Sequence, residues 1–132
     1  MKKKFLELIR SKLGCGYVYG AQGEVMTKNL LDTLIKRFGR SHYYFSGYSA
    51  EKWLGKECFD CSGLIVWALE QLGLIRTDLT ADGLYQLCNP VEKGKLEPGD
   101  LAFCQNSNGY KNHVGVYMGN GKVIHARGTA YG

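Results

Sequence analysis

Apolar positions recur at helical spacing near the start of the chain, where Phe5, Leu6, Ile9 and Leu13 share a face and Gly14 and Gly16 follow. The pattern predicts a short amphipathic helix that stops at the glycines. Gly16-Tyr17-Val18-Tyr19-Gly20 then holds aromatics between glycines and reads as a loop or a short extended piece. From Thr27, an N-cap residue type, Leu30, Leu31, Leu34, Ile35 and Phe38 form a second helical stripe that ends at Gly39. Residues 40–57 carry Tyr43, Tyr44, Phe45, Tyr48 and Trp53 without a period, so this stretch is expected to be a connection packed by its aromatics.

The strongest stripe runs from Ser62 to Leu72, where Leu64, Ile65, Val66, Trp67, Ala68, Leu69 and Leu72 leave little polar face. That helix should be central and buried, with Gly73 as its stop. Asp82 to Tyr85 reads as loop and turn. Pro98-Gly99-Asp100 turns into a short strand over 101–104, and a hairpin follows, His113 to Met118 and Lys122 to Arg127 around Gly119-Asn120-Gly121. Helices first and strands second predict an α+β domain with a helix laid on a small antiparallel sheet.

A chain of 132 residues with 45% hydrophobic content supports one core, so a single domain over 1–132 is expected. The net charge of +5 comes from basic residues spread along the chain. This suits an anionic wall or polymer surface as well as nucleic acid. With no Arg-rich run, zinc-finger spacing or aromatic RNA-binding signature, nucleic acid is not an expected partner. Met1 to Arg10 imitates a signal peptide, but Glu7 and Arg10 break the apolar run early and no small-residue cleavage site follows. A cytoplasmic product is therefore expected, and no stretch approaches the roughly 20 apolar residues of a membrane span.

The five cysteines, Cys15, Cys58, Cys61, Cys88 and Cys104, are read as free thiols, because a core of this size needs no disulfide staples. Cys58 and Cys61 have metal or redox spacing, but no second such pair exists, so no metal or cofactor is expected. Whether Cys58 forms a regulatory disulfide with Cys61 stays open.

A thiol attacks as thiolate, and a helix N-terminus beside a base lowers its pKa. In Asp60-Cys61-Ser62-Gly63, Cys61 immediately precedes the buried helix, whose unpaired first-turn N–H groups can also receive an oxyanion. A buried cysteine beside an Asp or Ser N-cap would look the same from this motif alone. The histidines change the balance. A tight Asn120-Gly121 turn would set His125 opposite Val116 and put His113 and His125 on opposite faces. A three-residue loop, with Gly121 left-handed in a bulge, instead sets Gly115 opposite His125 and makes His113 its same-face diagonal neighbour. The second register is expected, because it sends Val114, Val116 and Met118 to the other, apolar face. Gly115 would then leave room beside the imidazoles for a helix end.

Tyr17-Val18-Tyr19-Gly20, Asp60-Cys61-Ser62-Gly63, Pro98-Gly99-Asp100-Leu101, His113-Val114-Gly115-Val116-Tyr117 and Val123-Ile124-His125-Ala126 together resemble the NlpC-type family of cell-wall endopeptidases. They run in the family's order, span nearly the whole chain, and keep twelve positions between the two histidines. The resemblance implies a papain-like fold and a Cys-His-His triad. It also implies cleavage of peptidoglycan stem peptides, typically between D-γ-glutamate and the following diamino acid. Carried over by motif, Cys61 is the nucleophile, His113 the general base and His125 the group that orients it. Tyr17 would sit beside the nucleophile and help bind the reacting carbonyl. Asp60 and Ser62 match positions that hold a free stem-peptide amine, or they serve as ordinary N-caps. His42 matches no motif and reads as a loop residue.

Two departures accompany the resemblance. Residues 24–57 form a helical and aromatic insertion longer than a compact family member needs, which would wall or restrict the groove. Family members also usually continue for one or two strands beyond the equivalent of His125, so a truncated sheet with an edge open to self-association is expected. A cytoplasmic origin with action at the wall suggests an endolysin released by lysis, or a fragment of a larger protein. The alternatives are an N-acetylmuramoyl-L-alanine amidase and a non-catalytic cell-wall binding module.

Overall fold

The first helix, α1 (Lys2–Arg10), buries Phe5 and Ile9 and leaves Lys3 and Lys4 in water. The structure, a computed structural model, describes residues 2–45, 47–75, 79–88, 91, 93–105 and 111–128. The stripe expected to reach Leu13 ends sooner. Ser11, Lys12 and Leu13 form closing turns with their amides bonded to Glu7, Ile9 and Arg10 carbonyls, and Leu13 is left exposed.

The second stripe folds as expected into α2 (Lys28–Phe38), with Thr27 accepting from the Leu30 N–H and Gly39 at the C-cap. The third is α3 (Cys61–Gln71), capped by Asp60 and buried along Leu64, Ile65, Val66 and Ala68. It ends as glycine-terminated helices do: Gly73 N–H bonds to Glu70 O and Leu74 N–H to Leu69 O. Asp82 to Tyr85, expected to be a loop, belongs instead to α4 (Ala81–Leu87). Thr80 caps it by accepting from Gly83 N–H, and Ala81 and Leu84 are buried one turn apart. Packing of that face overrides the turn signal of Asp82-Gly83.

The strands make more sheet than the sequence order suggests. β1 (Gly16–Tyr17) runs parallel to β5 (Glu57–Phe59), with Tyr17 opposite Phe59, and β2 (Gln22–Val25) pairs with β5 on its other side. The aperiodic stretch between them folds into two 3₁₀ turns and a small antiparallel pair, β3 (Tyr44–Phe45) and β4 (Tyr48–Ser49). The C-terminal sheet is antiparallel with order β6 (Leu101–Gln105), β7 (Lys111–Gly119), β8 (Lys122–Ile124). Among the described residues β8 is an edge and ends at Ile124, short of the expected Arg127. The Pro98-Gly99 turn leads into β6 and is stapled to β7, since Gly99 N–H bonds to Tyr117 O and Tyr117 N–H to Asp100 O.

Two buried clusters result. The larger lies between α1, α3, α4 and the C-terminal sheet and includes Ile9, Phe59, Ile65, Val66, Leu84, Val114 and Val116. The smaller gathers Val18, Ala21, Met26, Leu31, Tyr43, Trp53 and Cys58 around α2 and the 3₁₀ turns. Each fully buried aliphatic side chain contributes about 1.5–3 kcal/mol relative to exposure, so both are independent sources of stability. The segment from Phe59 to Gly63 joins them.

Candidate active site

The mouth of α3 is built by one carboxylate. Asp60 accepts from Gly63 N–H (2.6 Å) through Oδ1 and from Gly20 N–H (2.9 Å) through Oδ2. Its own N–H bonds to Ala21 O (2.9 Å). The cap therefore fixes α3 and docks the segment after Tyr19 onto it. Ser62 Oγ lies 3.4 Å from Asp60 Oδ1 and is almost fully buried. Gly63 is required by space: a Cβ there would run into Ala21 O and the Asp60 carboxylate. Cys61 opens the helix, and the backbone N–H groups of Cys61, Ser62 and Val114 are directed at its sulfur.

Val114 follows His113 on β7, so that N–H also ties the sulfur to the hairpin. The hairpin sets Val116 opposite Ile124, which extends to Gly115 opposite His125, the register expected from sequence. The route to it differs. The turn is the tight Asn120-Gly121 form, both residues at positive φ, and the extra residue sits in β7, where Tyr117 faces Val123 but Gly119 faces Lys122. Gly119, at φ 95°, absorbs that bulge. Val114 and Val116 are fully buried on the apolar face, as expected. The space above Gly115 is filled differently from expectation. A Cβ would lie 3.0 Å from His125 Cβ and 2.5 Å from Val123 Cγ1, so the missing side chain admits the neighbouring strand rather than a helix end.

His113 Nε2 and His125 Nδ1 stand 2.8 Å apart, with the rings nearly perpendicular at 80°. The shared proton fixes the orientation of His113, and Nδ1 is the nitrogen that His125 does not engage. Burial, and then the nearby His125, lowers the His113 pKa below the ordinary value, so its imidazole is neutral near pH 7. Cys61 departs from the lowered thiol expected at a helix mouth. Burial and the Asp60 charge push it up, and the three N–H groups only partly offset them. The resting pair is thus thiol and neutral imidazole. Tyr17 is held beside Cys61 by the β1–β5 pairing; burial first, then Cys61 and Asp60, keeps its phenol protonated well beyond the usual range.

The structure thus brings Cys61, Tyr17, Asp60 and Ser62 to one helix mouth, with the His113–His125 pair carried on the adjoining hairpin. Cys58 lies apart, buried in the smaller cluster with its thiol raised to about 11, chiefly by burial. Sequence reasoning missed His42, which stacks on Tyr19 with ring centroids 4.1 Å apart, and Tyr43, whose hydroxyl donates to Tyr19 O. It also missed a pocket of about 210 Å³ on the flank of His125, lined by Lys12, Cys15, Gly16, Phe59, Leu64 and Ala126 among others. The aromatic content of 40–57 was the available signal for Tyr43; nothing in the sequence marked the pocket.

A cysteine opening a buried helix, laid against an antiparallel sheet that carries a bonded imidazole pair, defines a papain-like α+β domain. The NlpC/P60 family model matches residues 39–131, and the chain belongs to that family. It is 37% identical over 112 residues to Murein DD-endopeptidase MepH of Escherichia coli, covering 83% of this chain and 39% of that protein. Among solved structures, NlpC2 from Trichomonas vaginalis superposes with a TM-score of 0.65 at 27% identity, over 98% of this chain and 38% of that one. The P60 domain of antigen MAP1204 from M. avium subspecies paratuberculosis has the same fold, with a TM-score of 0.65 at 22% identity, over 98% of this chain and 79% of that one. No helix among the described residues is long and apolar enough to cross a membrane.

Proposed function

We propose that this chain is a cysteine endopeptidase that cleaves peptidoglycan stem peptides. The observation that carries the reading is the 2.8 Å bond between His113 Nε2 and His125 Nδ1, on the strand whose Val114 N–H reaches the Cys61 sulfur. His113 Nδ1 takes the Cys61 proton as the sulfur bonds to the amide carbon, and the carbonyl oxygen becomes an oxyanion. The Cys61 N–H and the Tyr17 hydroxyl supply hydrogen bonds to that charge. The C–N bond then breaks and the leaving amine receives the proton from His113. Water next gives a proton to His113 and attacks the thioester, releasing a carboxylic acid and restoring the thiol. His125 holds the ring in place throughout. Asp60 and Ser62 border the same mouth and are assigned to a free amine on the substrate, which would share a carboxylate already accepting two N–H groups.

The bond is assigned to D-γ-glutamate and the following diamino acid. A second reading is favoured by the name of the E. coli relative, a DD-endopeptidase, which points to a bond between two D residues. Mass spectrometry of purified muropeptides digested by the chain separates these two products from those of an amidase. Cys61→Ala should reduce turnover by about 10⁴-fold or more. Wild-type turnover in that variant would overturn the mechanism, and muropeptide binding without any thiol-dependent product would favour a binding module.

A further inference from the structure

Val18-Tyr19-Gly20-Ala21 is a β-turn, closed by Ala21 N–H to Val18 O at 3.0 Å, with Gly20 at φ 87°. A glycine with positive φ at the third position marks the type II form. The type I form differs by rotation of one peptide group, the one between Tyr19 and Gly20, and glycine at that position tolerates both. In this protein both ends of that same peptide group are held. Its oxygen accepts the Tyr43 hydroxyl at 2.9 Å, and its N–H donates to Asp60 Oδ2 at 2.9 Å.

We infer that Tyr43 is a positioning residue: its hydroxyl locks the 19–20 peptide in the orientation that delivers the Gly20 N–H to the carboxylate capping the Cys61 helix. With the peptide rotated, a carbonyl oxygen would face the Asp60 carboxylate, and the docking of the tyrosine segment onto the helix mouth would lose that bond. Tyr43 is fully buried and its position is set independently, since Ala50 N–H bonds to its carbonyl and its own N–H bonds to Arg40 O. Tyr19 is also gripped by the ring of Phe38 at 5.2 Å and of His42 at 4.1 Å, so the lock belongs to the insertion between the tyrosine motif and Asp60. That insertion therefore acts by holding a backbone group of the site.

The inference rests on the proposed function only for its catalytic consequence. Its test is Tyr43→Phe, which keeps the ring and removes the hydroxyl, beside Thr27→Ala, which loosens the α2 cap in the same cluster without touching Tyr19. In Tyr43→Phe the Gly20 amide should exchange with solvent about tenfold faster, and kcat on muropeptides should fall several-fold with a smaller change in KM. Thr27→Ala should leave both near wild type. Unchanged Gly20 exchange in Tyr43→Phe, or equal acceleration in Thr27→Ala, would overturn the lock. A wild-type protein that cleaves no muropeptide would remove the proposed function, while the exchange comparison would still decide the role of Tyr43.

Discussion

The cluster beneath the C-terminal sheet draws its side chains from repeating elements: Phe5 and Ile9 on α1, Leu64, Ile65 and Ala68 on α3, Val114 and Val116 on β7. The cluster around Tyr43 takes Leu31 and Leu34 from α2, its one long element, Ala50 and Trp53 from a 3₁₀ turn and Cys58 from the three-residue β5, and fills the rest with Val18, Ala21, Met26 and Tyr43 from the connections between short elements. The two also supply different things to the site. The first presents side chains, Cys61, His113 and His125, on rigid supports. The second presents backbone, the 19–20 peptide and the Ala21 carbonyl, in a turn that other conformations could replace. Precision in the first comes from periodic packing, and in the second from hydrogen bonds across long sequence separations such as Tyr43 to Tyr19 and Gly20 to Asp60.

The most severe way to break the comparison is at the junction. In Gly63→Ala the new methyl meets the Ala21 carbonyl from one region and the Asp60 carboxylate from the other, neither of which is a flexible side-chain end. A loss of about 3 kcal/mol in urea-unfolding stability is expected, the upper end for overpacking. Wild-type stability would mean that the two regions are not held against each other at this point.

A smaller effect confined to the first region is expected from Gly115→Ala. The added Cβ would lie 3.0 Å from His125 Cβ and 3.1 Å from Ile124 O, forcing β8 and the His125 that follows it away from His113. Stability should fall by about 1–2 kcal/mol. Under the proposed function kcat/KM should fall about 100-fold, because misplacing a positioned group by an ångström is that costly. A variant that keeps its activity with β8 displaced would remove His125 from the site.

The same division governs what the sequence disclosed. α2 and α3 were legible to within a residue because apolar spacing and caps agree at Thr27, Gly39, Asp60 and Gly73. The pairing of Gly115 with His125 was legible because only that register puts His125 on the face of His113, away from the buried Val114 and Val116. The position of the extra residue was not, since Gly119 and Gly121 accept a bulge equally well. α4 was obscured by Asp82-Gly83, whose turn preference yields to burial of Ala81 and Leu84. Pairings such as Tyr44 with Ser49 and Gly16 with Cys58 are too short to show alternation, so the second region apart from α2 was invisible as structure. The role of Tyr43 depends on a contact 24 positions away that no local pattern encodes.

Two thiols three positions apart, one in each region, sharpen the contrast at its finest scale. Cys58 is enclosed by the second cluster and its thiol is raised to about 11, first by burial. Cys61 is also raised, by burial and then Asp60, but the N–H groups of Val114, Ser62 and Cys61 pull it back toward thiolate. A raised thiol pKa moves the gain in thiolate to higher pH, so alkylation of Cys61 by iodoacetamide should climb roughly tenfold per pH unit below that pKa. His113, lowered below the ordinary value of about 6.5, carries no proton to form a standing ion pair at neutral pH, so no plateau is expected between pH 5 and 7. Cys61 should be modified before Cys58 at every pH up to 9. Rate constants from peptide mass spectrometry would check this, and a flat, fast rate for Cys61 across pH 5–7 would show that the helix mouth holds a preformed thiolate after all. The same lowering of His113 gives the sign for catalysis under the proposed function: the base stays neutral into mild acid, and the acid limb of kcat/KM should lie below pH 6.5.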